Sequence, residues 1–66
     1  MGKKEQYIMV MIRNTDMVPL GEWGMDRGYS IDYLGAAEAL RKAQEYIEHC
    51  TPLFTNIEFK LEGGEI

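Results

Sequence analysis

The stretch QYIMVMIR, residues 6–13, decides the fold of this chain. It is apolar and rich in β-branched residues but too short for an ordinary helix, so it predicts a β-strand. Alternate side chains of a strand point to opposite faces of a sheet. One face would carry the aliphatic residues Ile8, Val10 and Ile12. The other would carry Tyr7, Met9 and Met11, so both faces are apolar and the strand is expected at the centre of a sheet.

Two more strands and one helix are predicted downstream. YSIDY alternates and predicts a second strand over residues 27–34, and FTNIEFKLEG, residues 54–63, alternates and predicts a third. Between them GAAEALRKAQEYIEHC, residues 35–50, repeats apolar residues at helical spacing and should end before Pro52. The start of the helix stays open, because Ser30 or Asp32 could serve as its N-cap if the second strand is shorter. The terminal GGEI is expected to fray.

Short connections and a right-handed crossover leave few arrangements for these elements. We expect an α+β fold of order ββαβ, with a three-stranded antiparallel sheet in the order 2-1-3 and one helix packed on one face. The helix should cover the apolar residues Ile8, Val10, Ile12, Ile31, Ile57 and Phe59. Residues 1–66 are expected to form a single small domain.

Composition limits how such a domain is stabilised. The chain has 66 residues, of which 45% are apolar and 27% charged, the balance of a folded globule. Its single cysteine excludes an internal disulfide and a thiolate zinc site, the usual supports of a small scaffold. Self-association, most simply as a homodimer, is therefore expected.

The net charge and the short apolar run limit which partners and which cellular location are expected. A formal net charge of -4 would repel a phosphate backbone, so direct nucleic-acid binding is disfavoured. The apolar run from Ile8 to Ile12 is too short for a secretory or membrane-spanning segment. With a free thiol and no recognisable signal, a cytoplasmic location is expected.

The second face of the first strand needs a cover, because a single helix shields only one face of a sheet. The sequence leaves three alternatives for this cover: a lid made of Trp23 and Val18, a second copy in a symmetric dimer, or a foreign partner. Methionines adapt to varied surfaces, so Met9 and Met11, together with Tyr7, are candidate partner-binding residues.

The loop predicted over residues 14–28 includes the stretch GEWGMDRG, which sets the only tryptophan of the chain among three glycines. Tryptophan and arginine dominate interface energetics, so Trp23 and Arg27 are candidate partner-binding residues. The alternative is that Trp23 only fills a gap in its own domain.

An acidic bias marks the polar face of the predicted helix. Glu38, Glu45 and Glu48 could imitate a nucleic-acid backbone and occupy the site of a basic nucleic-acid-binding protein, which makes them candidate partner-binding residues. The alternative is a solvated helix face with intrahelical ion pairs, such as Glu38 with Lys42.

No pattern for catalysis or cofactor binding emerges. His49 and Cys50 are adjacent in a helix and would point about 100° apart, which argues against a catalytic dyad. Asp16, Glu22 and Asp26 lack the spacing of a calcium loop, and the glycines lack a phosphate-binding order. We expect neither a metal nor a cofactor, and no enzymatic activity.

These observations favour a non-enzymatic protein-binding regulator or inhibitor of a larger partner. Small acidic α+β proteins of this kind are similar, in size rather than motif, to the compact regulators encoded by bacteriophages. The alternative function is a small-ligand or nucleotide-binding domain, with a pocket under the loop of residues 14–28 lined by Trp23, Tyr29 and Tyr33.

Overall fold

The computed structural model describes residues 4–65. Its strands are β1 (Gln6–Asn14), β2 (Gly24–Ser30) and β3 (Ile57–Glu65), and its helices are α1 (Ile31–Leu34) and α2 (Ala36–Cys50). The strands form one sheet in the order β2-β1-β3, and β1 runs antiparallel to both neighbours. Helix α2 packs on one face. This confirms the predicted fold class, strand order and central position of β1.

The pairing of β1 with β3 runs along the full length of both strands. Gln6 lies opposite Glu65 at one end, and Asn14 lies opposite Ile57 at the other. Beyond the strands, the backbone N–H of Thr15 donates to the carbonyl of Asn56 at 2.9 Å. The β1–β3 pair is therefore the most regular part of the sheet, although its two strands lie far apart in sequence.

A β-bulge interrupts the pairing of β1 with β2. Val10 lies opposite Arg27, whereas the next residue, Met11, lies opposite Met25, so Asp26 is an extra residue in β2. Two consecutive residues at a bulge oppose one residue of the partner strand. Both Asp26 and Arg27 consequently reach the helix side of the sheet, where each contacts Tyr46.

The prediction of a second strand over residues 27–34 was wrong at both ends. Strand β2 begins at Gly24, inside the predicted loop, and ends at Ser30. The side chain of Ser30 accepts a hydrogen bond of 3.1 Å from the backbone N–H of Tyr33, which starts helix α1 at Ile31. A local side-chain cap therefore outcompetes the alternation of YSIDY, because serine favours helix N-caps over strand interiors.

The start of the long helix is set by a glycine. Gly35 has a φ of 85°, which separates α1 from α2 by a change of direction that other residues adopt only with strain. The predicted helix end is confirmed, since α2 stops at Cys50, two residues before Pro52.

The expected fraying of GGEI was wrong for the residues that the structure describes. Gly63, Gly64 and Glu65 belong to β3 and pair with Ile8, Tyr7 and Gln6. The early start of β1 supplies partners for these backbone groups, so the glycines stay in the ladder despite their low strand propensity. Ile66 lies outside the described residues.

The core is thin. Within residues 4–65 the buried apolar side chains are Val10, Ala39, Ala43 and Cys50. On α2, Ala36 and Leu40 are exposed, whereas Ala39 and Ala43 are fully buried. The small alanines let α2 approach β1 closely, but they bury little area.

The molecule has the shape of a slab. Its Cα atoms span 42 × 25 × 11 Å with a radius of gyration of 13.2 Å, whereas a compact domain of this length has about 11 Å. A sheet layer and a helix layer make up its thickness. A thin slab buries little surface for its length, which leaves both of its broad faces available to other molecules.

Candidate interaction surfaces

The face of the sheet opposite α2 is an apolar strip with polar margins, hereafter the open sheet face. Its centre is formed by Tyr7, Met9 and Met11, all of which are partly exposed. The pairing registers place Met25, Gly28 and Ser30 beside them on β2, and Lys60, Glu62 and Gly64 on β3. The predicted uncovered face is therefore present, with the predicted residues at its centre.

Two glycines keep this face flat. An added Cβ at Gly28 would lie 3.3 Å from Cδ1 of Tyr7, and one at Gly64 would lie 2.6 Å from the methyl carbon of Met9. The ring of Tyr7 and the methyl group of Met9 therefore lie across neighbouring strands instead of projecting outward. A flat apolar surface results at this end of the open sheet face.

Trp23 covers the other end of the open sheet face. The Arg13 guanidinium lies 4.6 Å from the centre of its ring, and the Lys60 ammonium lies 4.5 Å from it. Both are cation–π distances. Val18, the second residue of the predicted lid, is 98% exposed and covers nothing. The lid therefore consists of Trp23 alone and leaves Tyr7 and Met9 without a cover from this loop.

Arg27 lies on the helix side, away from Trp23. Its guanidinium lies 3.9 Å from the ring centre of Tyr46 on α2. The hydroxyl of the same tyrosine donates to the Asp26 carboxylate at 2.5 Å. This hydrogen bond, together with partial burial, raises the pKa of Tyr46 to about 12. Arg27 and Trp23, predicted as one binding loop, thus belong to different surfaces.

The acidic face of α2 is largely compensated within the helix. Arg41 forms ion pairs with Glu38 at 2.6 Å and with Glu45 at 2.5 Å. The hydrogen bond from Arg41 lowers the pKa of Glu38 below its ordinary value. Glu48 is exposed beyond these pairs. Intrahelical pairing, the plainer of the two sequence interpretations, accounts for Glu38 and Glu45.

A second apolar surface lies where α2 ends, hereafter the helix-end cleft. It is an open cleft of about 210 Å³. Its lining residues come from both layers of the fold: Ile12, Asp26, Tyr46, Cys50, Phe54, Ile57 and Phe59. Six of these seven carry apolar or aromatic side chains, and the acceptor oxygen of Asp26 is already bound by Tyr46. The cleft therefore offers an apolar interior with one polar edge.

The turn after α2 places Phe54 at the rim of the cleft. The backbone N–H groups of Leu53 and Phe54 both donate to the carbonyl of Cys50, which curls the chain back toward the sheet. Phe54 remains 49% exposed, and its neighbour Leu53 is 63% exposed. Sequence reasoning missed this cleft. The signal that could have indicated it was the pair of large apolar residues in a turn directly after Pro52.

The candidates for chemistry do not converge. His49 is exposed, whereas Cys50 is a buried free thiol. Residues 4–65 contain no group of three histidine, cysteine, aspartate or glutamate side chains that could hold a metal ion. Asp26 is engaged by Tyr46, while Asp16 and Glu22 are solvent-exposed in the loop before β2.

The alternative ligand pocket is not formed by its three predicted residues. Trp23 lies over Lys60 on the open sheet face, whereas Tyr29 lies beside Tyr46 and His49 of α2. Tyr33 is 89% exposed. The sheet separates Trp23 from Tyr29, so a common pocket under the loop does not arise.

Comparison with known proteins adds no family to this description: no family model, curated protein or solved structure matches the chain. Within the described range, neither helix combines the length and apolar content that crossing a membrane requires.

Proposed function

We propose that this protein is a non-enzymatic protein-binding regulator or inhibitor that grips a larger partner through the helix-end cleft. The observation that supports this proposal is the open apolar cleft of about 210 Å³ between the end of α2 and the sheet. A cavity of about 150 Å³ already accepts benzene. The cleft is thus large enough for one leucine, methionine or phenylalanine side chain of a partner.

The size of the cleft favours a side chain over a whole small molecule. Pockets for drug-sized ligands range from about 300 to 1,000 Å³. Protein interfaces, in contrast, depend on single anchor residues that fill small desolvated pockets. Phe54, which lines the cleft and is half exposed, would add contact area around such an anchor.

Competition for a basic nucleic-acid-binding site is the second version of this function. It depends on the net charge of -4 and on exposed acids such as Glu48. The pairing of Arg41 with Glu38 and Glu45 weakens it, because paired carboxylates attract an external cation less strongly. This version predicts binding that falls steeply with salt, whereas anchor binding in the cleft predicts little salt dependence.

A random peptide library displayed on phage tests the proposal, because selection from it requires no identified partner. Peptides selected by the wild-type protein should share one large apolar residue, and changing that residue to alanine should weaken binding at least about tenfold. Phe54→Ala should cause a similar loss. Leu53→Ala is the matched control, since Leu53 is exposed next to Phe54 but does not line the cleft.

Calorimetric titration at low and high salt then separates the two versions. Apolar peptides that bind equally well to wild type and Phe54→Ala would contradict the cleft as the binding site. Lysine- and arginine-rich peptides whose affinity collapses at high salt would favour the acidic surface instead.

A cytoplasmic location belongs to the same proposal. Cys50 is a free thiol buried beneath the cleft, which suits a reducing compartment. The relationship to phage-encoded regulators remains a prediction from size and charge.

A further inference from the structure

From the pattern of side chains on the open sheet face, we infer that this surface binds a second copy of the chain. The two-fold axis would lie between the two sheets, perpendicular to the strands, at the level of the Val10–Leu61 pair. The two protomers would form a β-sandwich, each with its helix on the outside. A second copy is favoured as the partner because the order of charged and apolar residues along β1 and β3 is complementary to itself.

The register of the sheet defines the arrangement. On the open sheet face, Met9 pairs with Glu62, and Met11 pairs with Lys60; these two rows lie one step on either side of the Val10–Leu61 pair. A two-fold axis at that level exchanges the two rows. Met9 of one protomer then faces Met11 of the other, and Glu62 faces the Lys60 of the other.

The next rows also match. Tyr7 lies three residues before Val10 and Arg13 three residues after it. The same axis therefore brings the ring of Tyr7 opposite the end of the other protomer where Trp23 stacks on Arg13, so that the two aromatic rings can pack together. Trp23 also lies over Lys60, so it would face the end of the other protomer that carries Tyr7, Glu62 and Gly64.

The other face-to-face arrangement lacks this complementarity. An axis parallel to the strands would place β3 of one protomer over β2 of the other. Lys60 would then face Met25, and Glu62 would face Gly28. Interfaces are oriented by matched charges, so the perpendicular axis is favoured.

The thin core supplies the driving force. Val10 is the largest fully buried side chain in the described part of the chain, and Met9, Met11 and Tyr7 retain exposed surface. Two sheets packed face to face interdigitate their side chains to form a core about 10 Å thick. The dimer would bury the methionines of both chains, while the helix-end cleft of each chain stays open on the outer side.

Charge variants test the register directly. Lys60→Glu would bring two carboxylates together across the axis, and Glu62→Lys would bring two ammonium groups together there. The dissociation constant of either homodimer should rise at least about tenfold, because like charges meet twice across the axis. An equal mixture of the two variants should restore dimers, since every crossing contact is then between opposite charges.

Sedimentation equilibrium measures these masses, with about twice the chain mass of 7.6 kDa expected for the wild type. Glu48→Lys is the matched control, because it makes the same charge change as Glu62→Lys on the exposed side of α2. A monomeric wild type at millimolar concentration, unweakened single variants, or a mixture that stays monomeric would each overturn the inference.

A measurement on the unmodified sequence guards against misfolded variants. With ¹³C-labelled methionine methyl groups, the resonances of Met9 and Met11 should shift as dilution dissociates the dimer. Met17, 53% exposed in the loop before β2, should not shift. Resonances of Met9 and Met11 that are independent of concentration in a dimeric protein would place the interface elsewhere and overturn the inference.

Discussion

The hydroxyl of Tyr46 donates a hydrogen bond of 2.5 Å to the carboxylate of Asp26, which joins the C-terminal part of α2 to the bulge in β2. Asp26 reaches this position because the bulge turns an extra residue toward the helix. The contact ties the helix to β2. It also forms one wall of the helix-end cleft.

This hydrogen bond predicts a loss of stability at high pH. The pKa of Tyr46 is raised to about 12 in the folded protein, from an ordinary value of 10.0, because the neighbouring carboxylate disfavours the phenolate. A raised folded-state pKa gives a stabilisation that is complete below about pH 10 and is lost as the pH rises through about 12.

We therefore expect Tyr46→Phe to lower the free energy of unfolding below about pH 10, with the difference from wild type vanishing near about pH 12. Urea denaturation at a series of pH values measures this. Tyr33→Phe is the control, since Tyr33 is 89% exposed, and it should match wild type throughout. A pH-independent difference for Tyr46→Phe would contradict the proposed titration.

Val10 should be the most sensitive aliphatic position. It is fully buried at the centre of the sheet, so Val10→Ala removes two methyl groups and leaves a cavity, at a cost of about 2 kcal/mol. Val18→Ala makes the same chemical change at a residue that is 98% exposed, and should alter stability by less than about 0.5 kcal/mol. Equal midpoints of chemical denaturation for the two variants would show that Val10 is not the core residue described.

Gly35 should resist substitution for conformational reasons alone. An added Cβ would meet no atom within 4 Å, but φ is 85°. Gly35→Ala should therefore cost about 1 kcal/mol through backbone strain. Gly24→Ala is the matched control, because its Cβ is equally unobstructed and its φ is not positive. Thermal unfolding of both variants checks this, and a stable Gly35→Ala protein would rule out the strained turn between α1 and α2.

Arg41 should control the titration of Glu38. The hydrogen bond from Arg41 lowers the pKa of Glu38, so Arg41→Gln should raise that pKa toward its ordinary value. The sign follows from linkage. A carboxylate whose pKa is lowered by folding stabilises the fold at pH values above its pKa in the unfolded chain, and this stabilisation is lost as the pH falls. Carboxyl ¹³C titration by NMR measures the shift, and Lys60→Gln, which removes a distant cation, should leave Glu38 unchanged.

The sequence could predict the open sheet face but not the helix-end cleft. The open sheet face was predictable because strand alternation alone assigns Tyr7, Met9 and Met11 to one side of β1. The helix-end cleft was not, because its walls come from separate segments of the chain, from Ile12 to Phe59. No local pattern reports that these segments meet.

The sequence by itself determined the strand order, the antiparallel sheet and the end of α2. The two apolar faces of the first strand require a central position, short connections limit the topology, and the ring of Pro52 ends the helix. Tertiary structure decided the start of β2 at Gly24, the bulge at Asp26 and the inclusion of Gly63 and Gly64 in β3. These features follow from hydrogen bonds between residues distant in sequence, such as Tyr46 with Asp26, and from pairing partners that β1 supplies. Where local preferences are weak, as in the glycine-rich segments, the available backbone partner decides the conformation.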